Sequence, residues 1–292
     1  MIDDFPAGPI AFQGAPGAYS DLACRTAFPD RETMPCPTFE AAIESVRDGV
    51  AALAMLPTEN SLAGRVPDMH ALLPESGLAI VGEHFQRVQH CLLGPKGATA
   101  AGIKRVHSHA VALGQVRALI HEMGAQSVIQ ADTAGAAALV ALWNNPEDAA
   151  VASALAAEIY SLDILRPNVE DAPHNTTRFY VMARIPRVMP PDRPNLITSF
   201  VFRVRNVPAA LYKALGGFAT NGVNLTRLES YMIGGHFAAT QFLVEIEGHP
   251  ETRAVRLALE ELDFFSREIR ILGVYPAAEF RLAQQVAGVD AD

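Results

Sequence analysis

Ala51-Ala52-Leu53-Ala54-Met55-Leu56-Pro57-Thr58-Glu59-Asn60-Ser61 decides how the rest of the chain is read. Its first six residues are a continuous apolar run closed by a proline, the pattern of a strand buried on both faces. Four polar residues follow at once. They fall at the carboxyl end of a parallel strand, where open α/β sheets bind ligands. For Ser61 taken alone, the N-cap of a following helix is the better account. Capping does not explain Glu59 and Asn60.

Upstream, Pro9–Gln13 reads as a short strand ending in a glycine turn, and Ser20 as the N-cap of a helix reaching Phe28. Phe39, Ala42, Ile43 and Val46 lie at helical spacing and predict a helix over Phe39–Asp48. Downstream, strands at Val88–Leu93, Ile103–His107 and Ala149–Ser153 are interleaved with helices at Val111–Met123, Thr133–Trp143 and Leu155–Leu162. Strands alternating with helices predict parallel sheets covered on both sides. Two such series predict two α/β lobes with a cleft between them, the second lobe spanning about residues 87–165. The strand Thr177–Ala183 is read as returning to the first lobe.

Four prolines between Ile185 and Asn195 can neither continue a helix nor sit in a central strand, so residues 187–194 read as a semi-rigid linker. The rhythm then changes. Strand Leu196–Val204, helix Ala209–Ala219, strand Asn224–Met232, a Gly234-Gly235 turn, strand Phe237–Ile246, helix Glu251–Leu262 and strand Glu268–Tyr275 give the order βαββαβ. That is the ferredoxin-like arrangement. The expected organisation is therefore a two-lobed α/β domain over residues 8–186 and a ferredoxin-like domain over 195–276.

Composition narrows the function. Of the 292 residues, 50% are hydrophobic and 19% charged, which suits a packed globular chain rather than a disordered one. With 23 basic and 32 acidic residues the net charge is −9, and no Lys/Arg run is present, so nucleic acid is not an expected partner. Three cysteines outside any C-x-x-C pairing argue against a disulfide framework or a zinc ribbon. The acidic start Met-Ile-Asp-Asp lacks the features of a signal peptide, and no apolar stretch approaches a membrane span, so a cytoplasmic protein is expected.

Four constellations could carry chemistry. Gly14-Ala15-Pro16-Gly17-Ala18-Tyr19-Ser20 joins a strand to a helix N-terminus, which favours anions, and reads equally as a turn with a cap. It lacks the lysine of a P-loop and the G-x-G-x-x-G spacing. The Thr58–Ser61 segment is the second. His107-Ser108-His109 suggests a metal site only if a third ligand exists, and none accompanies it; Ser108 and Gln115, taken to share one helical face, fit hydrogen bonding to a small polar ligand better. Asn175-Thr176-Thr177-Arg178-Phe179 brings an amide, two hydroxyls and a guanidinium into an apolar strand. That arginine can grip a carboxylate and a threonine hydroxyl can pass a proton to a leaving group, while the same residues also suit a surface β-strand.

Taken in order, Gly14-x-x-Gly17-x-Tyr19-Ser20, Pro57-Thr58-Glu59-Asn60-Ser61 with Gly64 and Val66, His90-Cys91-Leu92, Ser108-His109 with Gln115, Asp132-Thr133-Ala134 and Asn175-x-Thr177-Arg178-Phe179 resemble prephenate dehydratase over residues 9–185. The tail, with Ala210–Leu215 and Asn224–Ser230, resembles the ACT regulatory domain that follows it in that family. The first dehydratase motif begins at residue 14, which leaves no room for a preceding chorismate mutase domain, so a single activity is expected.

The resemblance implies a periplasmic-binding-protein-like catalytic fold and a cofactor-free, metal-free decarboxylating dehydration of prephenate to phenylpyruvate, water and CO2. An arogenate dehydratase and a non-catalytic two-lobed solute-binding protein are the alternatives. It also implies catalytic roles for Thr177, Arg178 and Glu59. Thr177 would protonate or hydrogen-bond the leaving hydroxyl, Arg178 would anchor a carboxylate, and Glu59, if burial keeps it protonated, could supply the proton. Ser20, Asn60, Ser61, Ser108, Gln115, Thr133, Asn175 and Phe179 would line the substrate cleft. Phenylalanine is the expected allosteric inhibitor, bound between paired ACT domains of a homodimer or homotetramer near Ala209, Ala210, Leu211, Asn221, Asn224 and Leu225. Two departures stand out: Ala209 replaces the usual glycine, and Glu229-Ser230-Tyr231-Met232 replaces the usual Glu-Ser-Arg-Pro.

Overall fold

The computed structural model describes residues 5–205, 207–232 and 239–289. The chain divides into two compact units, residues 1–70 with 84–179, and residues 71–83 with 180–292.

The first unit opens with β1 (Ile10–Gln13), α1 (Tyr19–Ala27), β2 (Thr33–Cys36), α2 (Phe39–Arg47), β3 (Leu53–Asn60), β4 (Gly64–Arg65) and α3 (Pro67–Leu72). After β5 (Ala79–Arg87) come β6 (Cys91–Gly94), β7 (Arg105–Ser108), α4 (Ala110–Gly114), α5 (Arg117–Met123), β8 (Gln126–Ile129), α6 (Thr133–Trp143), β9 (Asp148–Ala152), α7 (Ala154–Tyr160), β10 (Asp163–Arg166) and β11 (Thr176–Ala183). Two sheets result, in the orders β2-β1-β3-β11-β5, with β4 on β3, and β10-β6-β9-β7-β8. They are the two expected α/β lobes, and β11 does return to the first sheet.

Both sheets are mixed rather than wholly parallel. The β1–β2, β1–β3, β7–β8 and β7–β9 pairs are parallel, but β6 runs antiparallel to β9 and to β10. Parallel neighbours need a crossover, usually a helix. The Val88–Leu93 stretch enters as β6 directly after β5 of the other sheet, and both its neighbours, β9 and β10, come later in the chain. That stretch is not one strand: β5 ends at Arg87 and β6 starts at Cys91, which leaves His90 in the gap.

Two helix expectations also change. The predicted helix Val111–Met123 breaks at Gln115-Val116 into α4 and α5. Both oxygens of Asp171 accept from the first N–H groups of α5, Arg117 at 2.9 Å and Ala118 at 3.2 Å, so a cap from far along the chain starts a new helix. Ser20 is not an N-cap. Ala18 holds that position and Ser20 is buried inside the first turn of α1.

The second unit carries β12 (Leu196–Val204), α8 (Ala210–Thr220), β13 (Leu225–Met232), β14 (Ala239–Glu247), α9 (Arg253–Phe265), β15 (Ser266–Pro276) and a further helix, α10 (Glu279–Val289). The expected Gly234-Gly235 turn and Phe237 lie outside the described residues. The sheet order β13-β14-β12-β15, with the determined pairs all antiparallel, is ferredoxin-like. Phe200, Phe202 and Val204 alternate along β12 onto one face, and pack with Phe218 of α8 and Val255, Ala258 and Leu262 of α9. Ser199, one register position away, is also fully buried, as are Glu245 and Tyr275. Glu245 accepts from Tyr180 and pairs with Arg281, which also grips Glu83 at 2.8 Å. Buried charges of this kind are held in pairs because an unpaired one is too costly.

Ala209, the N-cap of α8, adopts φ 62° and ψ 12°, a left-handed conformation that costs an L-residue roughly 1–2 kcal/mol. Ala209→Gly removes that strain but adds unfolded-state entropy, for a net expected gain of about 0.5 kcal/mol. Thermal unfolding checks it, and a lower Tm for the variant contradicts it.

No helix among the described residues is long and apolar enough to cross a membrane.

Candidate active site

The loop between β1 and α1 is closed to anions. The N–H of Gly17 donates to the Asp21 carboxylate at 2.9 Å, and Asp21 is fully buried and also bonded to Arg25. A carboxylate of the chain itself thus occupies the helix N-terminus. Gly17 has φ +86°, and a Cβ there would lie 2.8 Å from the Ala156 Cα of α7. Its carbonyl accepts from the Ser153 hydroxyl at 2.6 Å, so the glycines serve a close backbone approach. Gly17→Ala should cost about 2 kcal/mol through the left-handed φ and the overlap. An unchanged Tm would refute this account.

The polar run after Met55-Leu56 does not leave the sheet as expected, because β3 continues through Pro57 to Asn60. Here it meets the start of β11. Asn60 Nδ2 donates to Asn175 Oδ1 at 2.8 Å and to Thr177 Oγ1 at 3.0 Å. Asn60 Oδ1 accepts from the N–H groups of Leu62 and Ala63. Ser61 caps no helix. Its hydroxyl donates to the His174 carbonyl and accepts from the Thr176 N–H, clamping the turn to β11.

Asn175 is fully buried, and its Nδ2 donates to Gln115 Oε1 at 2.9 Å. Gln115 lies at the break between α4 and α5 rather than two turns into a helix. His90 Nε2 meets the same Gln115 oxygen at 2.9 Å, and His90 Nδ1 meets the Tyr19 hydroxyl at 2.9 Å. Burial pushes the Tyr19 phenol well above its ordinary value, with Cys91 and Glu170 adding to the shift. Burial likewise lowers the His90 imidazole against the pull of Gln115 and Glu170. Both groups are therefore neutral at pH 7.

Arg178 Nη1 donates to Glu59 Oε1 at 2.9 Å, and the guanidinium stacks over Phe85 at 5.8 Å. The arginine side chain is 4% exposed and that of Glu59 37%. The carboxylate that Arg178 anchors is thus one of the chain's own. Glu59 is its ion-pair partner, and it is not the buried side chain on which the expected proton supply behind Thr177 depended. Phe179 is buried in the core of β11.

Three expected substrate contacts stand apart. The Ser108 hydroxyl donates to the Val151 carbonyl at 2.6 Å and shares no helical face with Gln115, since it ends β7. Thr133 is the first residue of α6, whose cap is Asp132. Neither these two nor Ser20 joins the network by any hydrogen bond among the described residues. His107 Nε2–H donates to the Asp148 carboxylate at 2.9 Å, and Asp148 is held below the usual carboxylate range chiefly by the Arg105 hydrogen bond. His109 caps α4. No cluster of three or more metal-ligating side chains occurs among the described residues.

Sequence reasoning missed Tyr19, His90 and Asp171. Tyr19 and His90 stand inside quoted motifs, but nothing local shows that they meet Gln115.

In the second unit, Leu211 and Leu225 pack against the helix-facing core, and Asn221 Nδ2 donates to the Gly217 carbonyl at 2.8 Å and to Glu261. Ala209 and Asn224 are exposed and Ala210 half-buried.

The sequence model of the family described as prephenate dehydratase matches residues 10–187. A Komagataeibacter europaeus protein named bifunctional N-acyl-homoserine lactone acylase/prephenate dehydratase is 63% identical over 93% of this chain and 97% of its own length. Arabidopsis thaliana arogenate dehydratase/prephenate dehydratase 1 is 39% identical over 91% of this chain and 71% of its own. A solved prephenate dehydratase from Arthrobacter aurescens in complex with L-Phe superposes with TM-score 0.84 at 29% identity, covering 97% of this chain and 98% of that one. A solved structure described as a novel type of quorum quenching acylase gives TM-score 0.88 at 63% identity, over 94% and 99%.

Proposed function

Because the chain belongs to the prephenate dehydratase family and is thus a lyase, we propose that it converts prephenate to phenylpyruvate, water and CO2. The observation that carries the reading is the state of the Thr177 hydroxyl. Its oxygen accepts from Asn60, and its own hydrogen has no acceptor among the described residues. A hydroxyl held in this way presents a donor, as protonation of a departing C4 hydroxide requires. Loss of CO2 and hydroxide makes the ring aromatic, so neither a redox step nor a covalent nucleophile is needed.

Arg178 and Glu59 neutralise each other, so uncharged donors share the hold on the dianion with Arg117, which borders the same cavity as Gln115. Gln115 supplies two N–H groups and Thr177 one O–H. Asn60 and Asn175 serve through them. Residues 8–186 form the catalytic domain, 187–194 the linker and 195–276 an ACT domain. Incubation with prephenate, followed by the ultraviolet absorbance of phenylpyruvate, tests the reading; no product would end it.

Phenylalanine is proposed to bind between paired ACT domains of a homodimer or homotetramer, near Ala209–Leu211, Asn221 and Asn224-Leu225, and to lower activity. The Arthrobacter aurescens relative was solved with L-Phe, which supports this. Calorimetric titration alongside an activity curve tests it, and neither heat nor inhibition at millimolar phenylalanine would leave the domain a purely structural role.

Two further substrates follow from the names of relatives. Arogenate is tested by comparing kcat/KM with that for prephenate. The 63% identical relative also carries the name of an acylase, so release of fatty acid from an N-acyl-homoserine lactone is the matching assay.

A further inference from the structure

The hydrogen bonds from Tyr19 through His90, Gln115, Asn175 and Asn60 to Thr177 have a direction that can be worked out from one end. The N–H groups of Leu62 and Ala63 point at Asn60 Oδ1 at 3.0 and 2.9 Å. A peptide N–H only donates, so the Asn60 oxygen is identified and its nitrogen is the donor of the pair with Asn175. Asn175 must then turn its own NH2 to Gln115. The Gln115 oxygen accepts from it, and the other group reaching that oxygen, His90 Nε2, must carry a hydrogen. Nδ1 of the neutral ring is left to accept from the Tyr19 hydroxyl, which the Gln89 carbonyl shares at 2.8 Å.

Both free ends of this chain are donors. The Gln115 NH2 has no acceptor among the described residues, and Gln115 borders a cavity of about 470 Å³ with Leu62, Ala63, Val111, Arg117 and Asp171. The Thr177 O–H is the other end. Were the Gln115 carboxamide reversed, its NH2 would face two donors and an oxygen would face the cavity. For an anionic substrate that reversal exchanges an attraction for a repulsion.

We propose that His90, backed by Tyr19, is a positioning residue: its Nε2–H locks the Gln115 carboxamide with the NH2 turned to the substrate's anionic groups. This rests on the prephenate reading of the site. It goes beyond that reading by assigning a task to two residues that touch no substrate.

Steady-state kinetics of the full chain with prephenate test it. His90→Phe is expected to raise KM about tenfold, the worth of one hydrogen bond to a charged group, with kcat within about threefold of the parent. His90→Gln, which keeps an N–H near the Nε2 position, should restore KM to within about threefold of the parent. Because His90 acts through Gln115, adding His90→Phe to Gln115→Ala should cost less than about twofold more. Multiplying losses in the double variant, or a His90→Gln no better than His90→Phe, would overturn the proposal. If the parent fails to turn over prephenate, the functional reading falls, and ring ¹⁵N shifts of His90 in the free protein still decide the lock. Nε2–H is expected; Nδ1–H refutes it.

Discussion

Thr177→Ala is expected to lower kcat for prephenate by about 10²–10⁴-fold, the contribution of a positioned proton donor, with KM within about threefold. The side chain is small and half-buried at the start of β11, so its truncation leaves little cavity. Asn60 loses one acceptor but keeps Asn175 and the Thr176 carbonyl, at 2.8 and 3.3 Å, so the surrounding network stays in place. Thr177→Ser keeps the hydroxyl and should retain most of the turnover. Comparing the three proteins by phenylpyruvate formation, with circular dichroism to check folding, measures the effect. Near-normal kcat in Thr177→Ala would remove the threonine from the chemistry.

Gly273→Ala destabilises the second unit by at least about 3 kcal/mol, the upper range for inserting a methyl where nothing can yield. A Cβ on Gly273 would overlap the Ile80 carbonyl oxygen and lie 2.8 Å from its carbon. Both are backbone atoms of β5, and the side chain has no rotamer through which to escape. The site also sits beside a register shift, since Ser199 faces Gly273 while Phe200 faces Ile271, so Leu272 is the extra residue of a bulge. Absence of a side chain at Gly273 lets the bulged strand approach the neighbouring backbone. Thermal unfolding should place the variant several degrees below the parent, and a Tm within one degree would show that the backbone gives way cheaply.

Much of the fold was legible. Phe39–Asp48 and Thr133–Trp143 carried their helical spacing in the open, and their ends match to within a residue. The βαββαβ order was readable because strand-like and helix-like runs follow one another clearly after the prolines. Misreadings arose where a distant group overruled a local pattern. Val111–Met123 has the periodicity of one helix, but the Asp171 carboxylate, 54 residues away, caps a new one at Arg117. Ser20 has the chemistry of a cap, but Ala18 holds the cap position and Ser20 is buried in the first turn.

At the site the division is sharper. Sequence motifs singled out Glu59 and Asn60 as polar residues after an apolar strand, and the family resemblance added Gln115, Asn175, Thr177 and Arg178 as site residues. They could not pair Arg178 with Glu59, 119 residues apart, nor attach His90 to Gln115.

The sequence by itself determined the two α/β lobes, the proline-rich segment, the ferredoxin-like order and the family, since periodicity and motif order are properties of neighbouring residues. Tertiary structure alone decided the strand directions, the break at Gln115, the partner of Arg178 and the sense of every carboxamide from Asn60 to His90. The physical reason is that a buried polar group must find its partner wherever the folded chain brings one. Here those partners come from segments far apart in the chain, and two backbone N–H groups, of Leu62 and Ala63, set the direction for all of them.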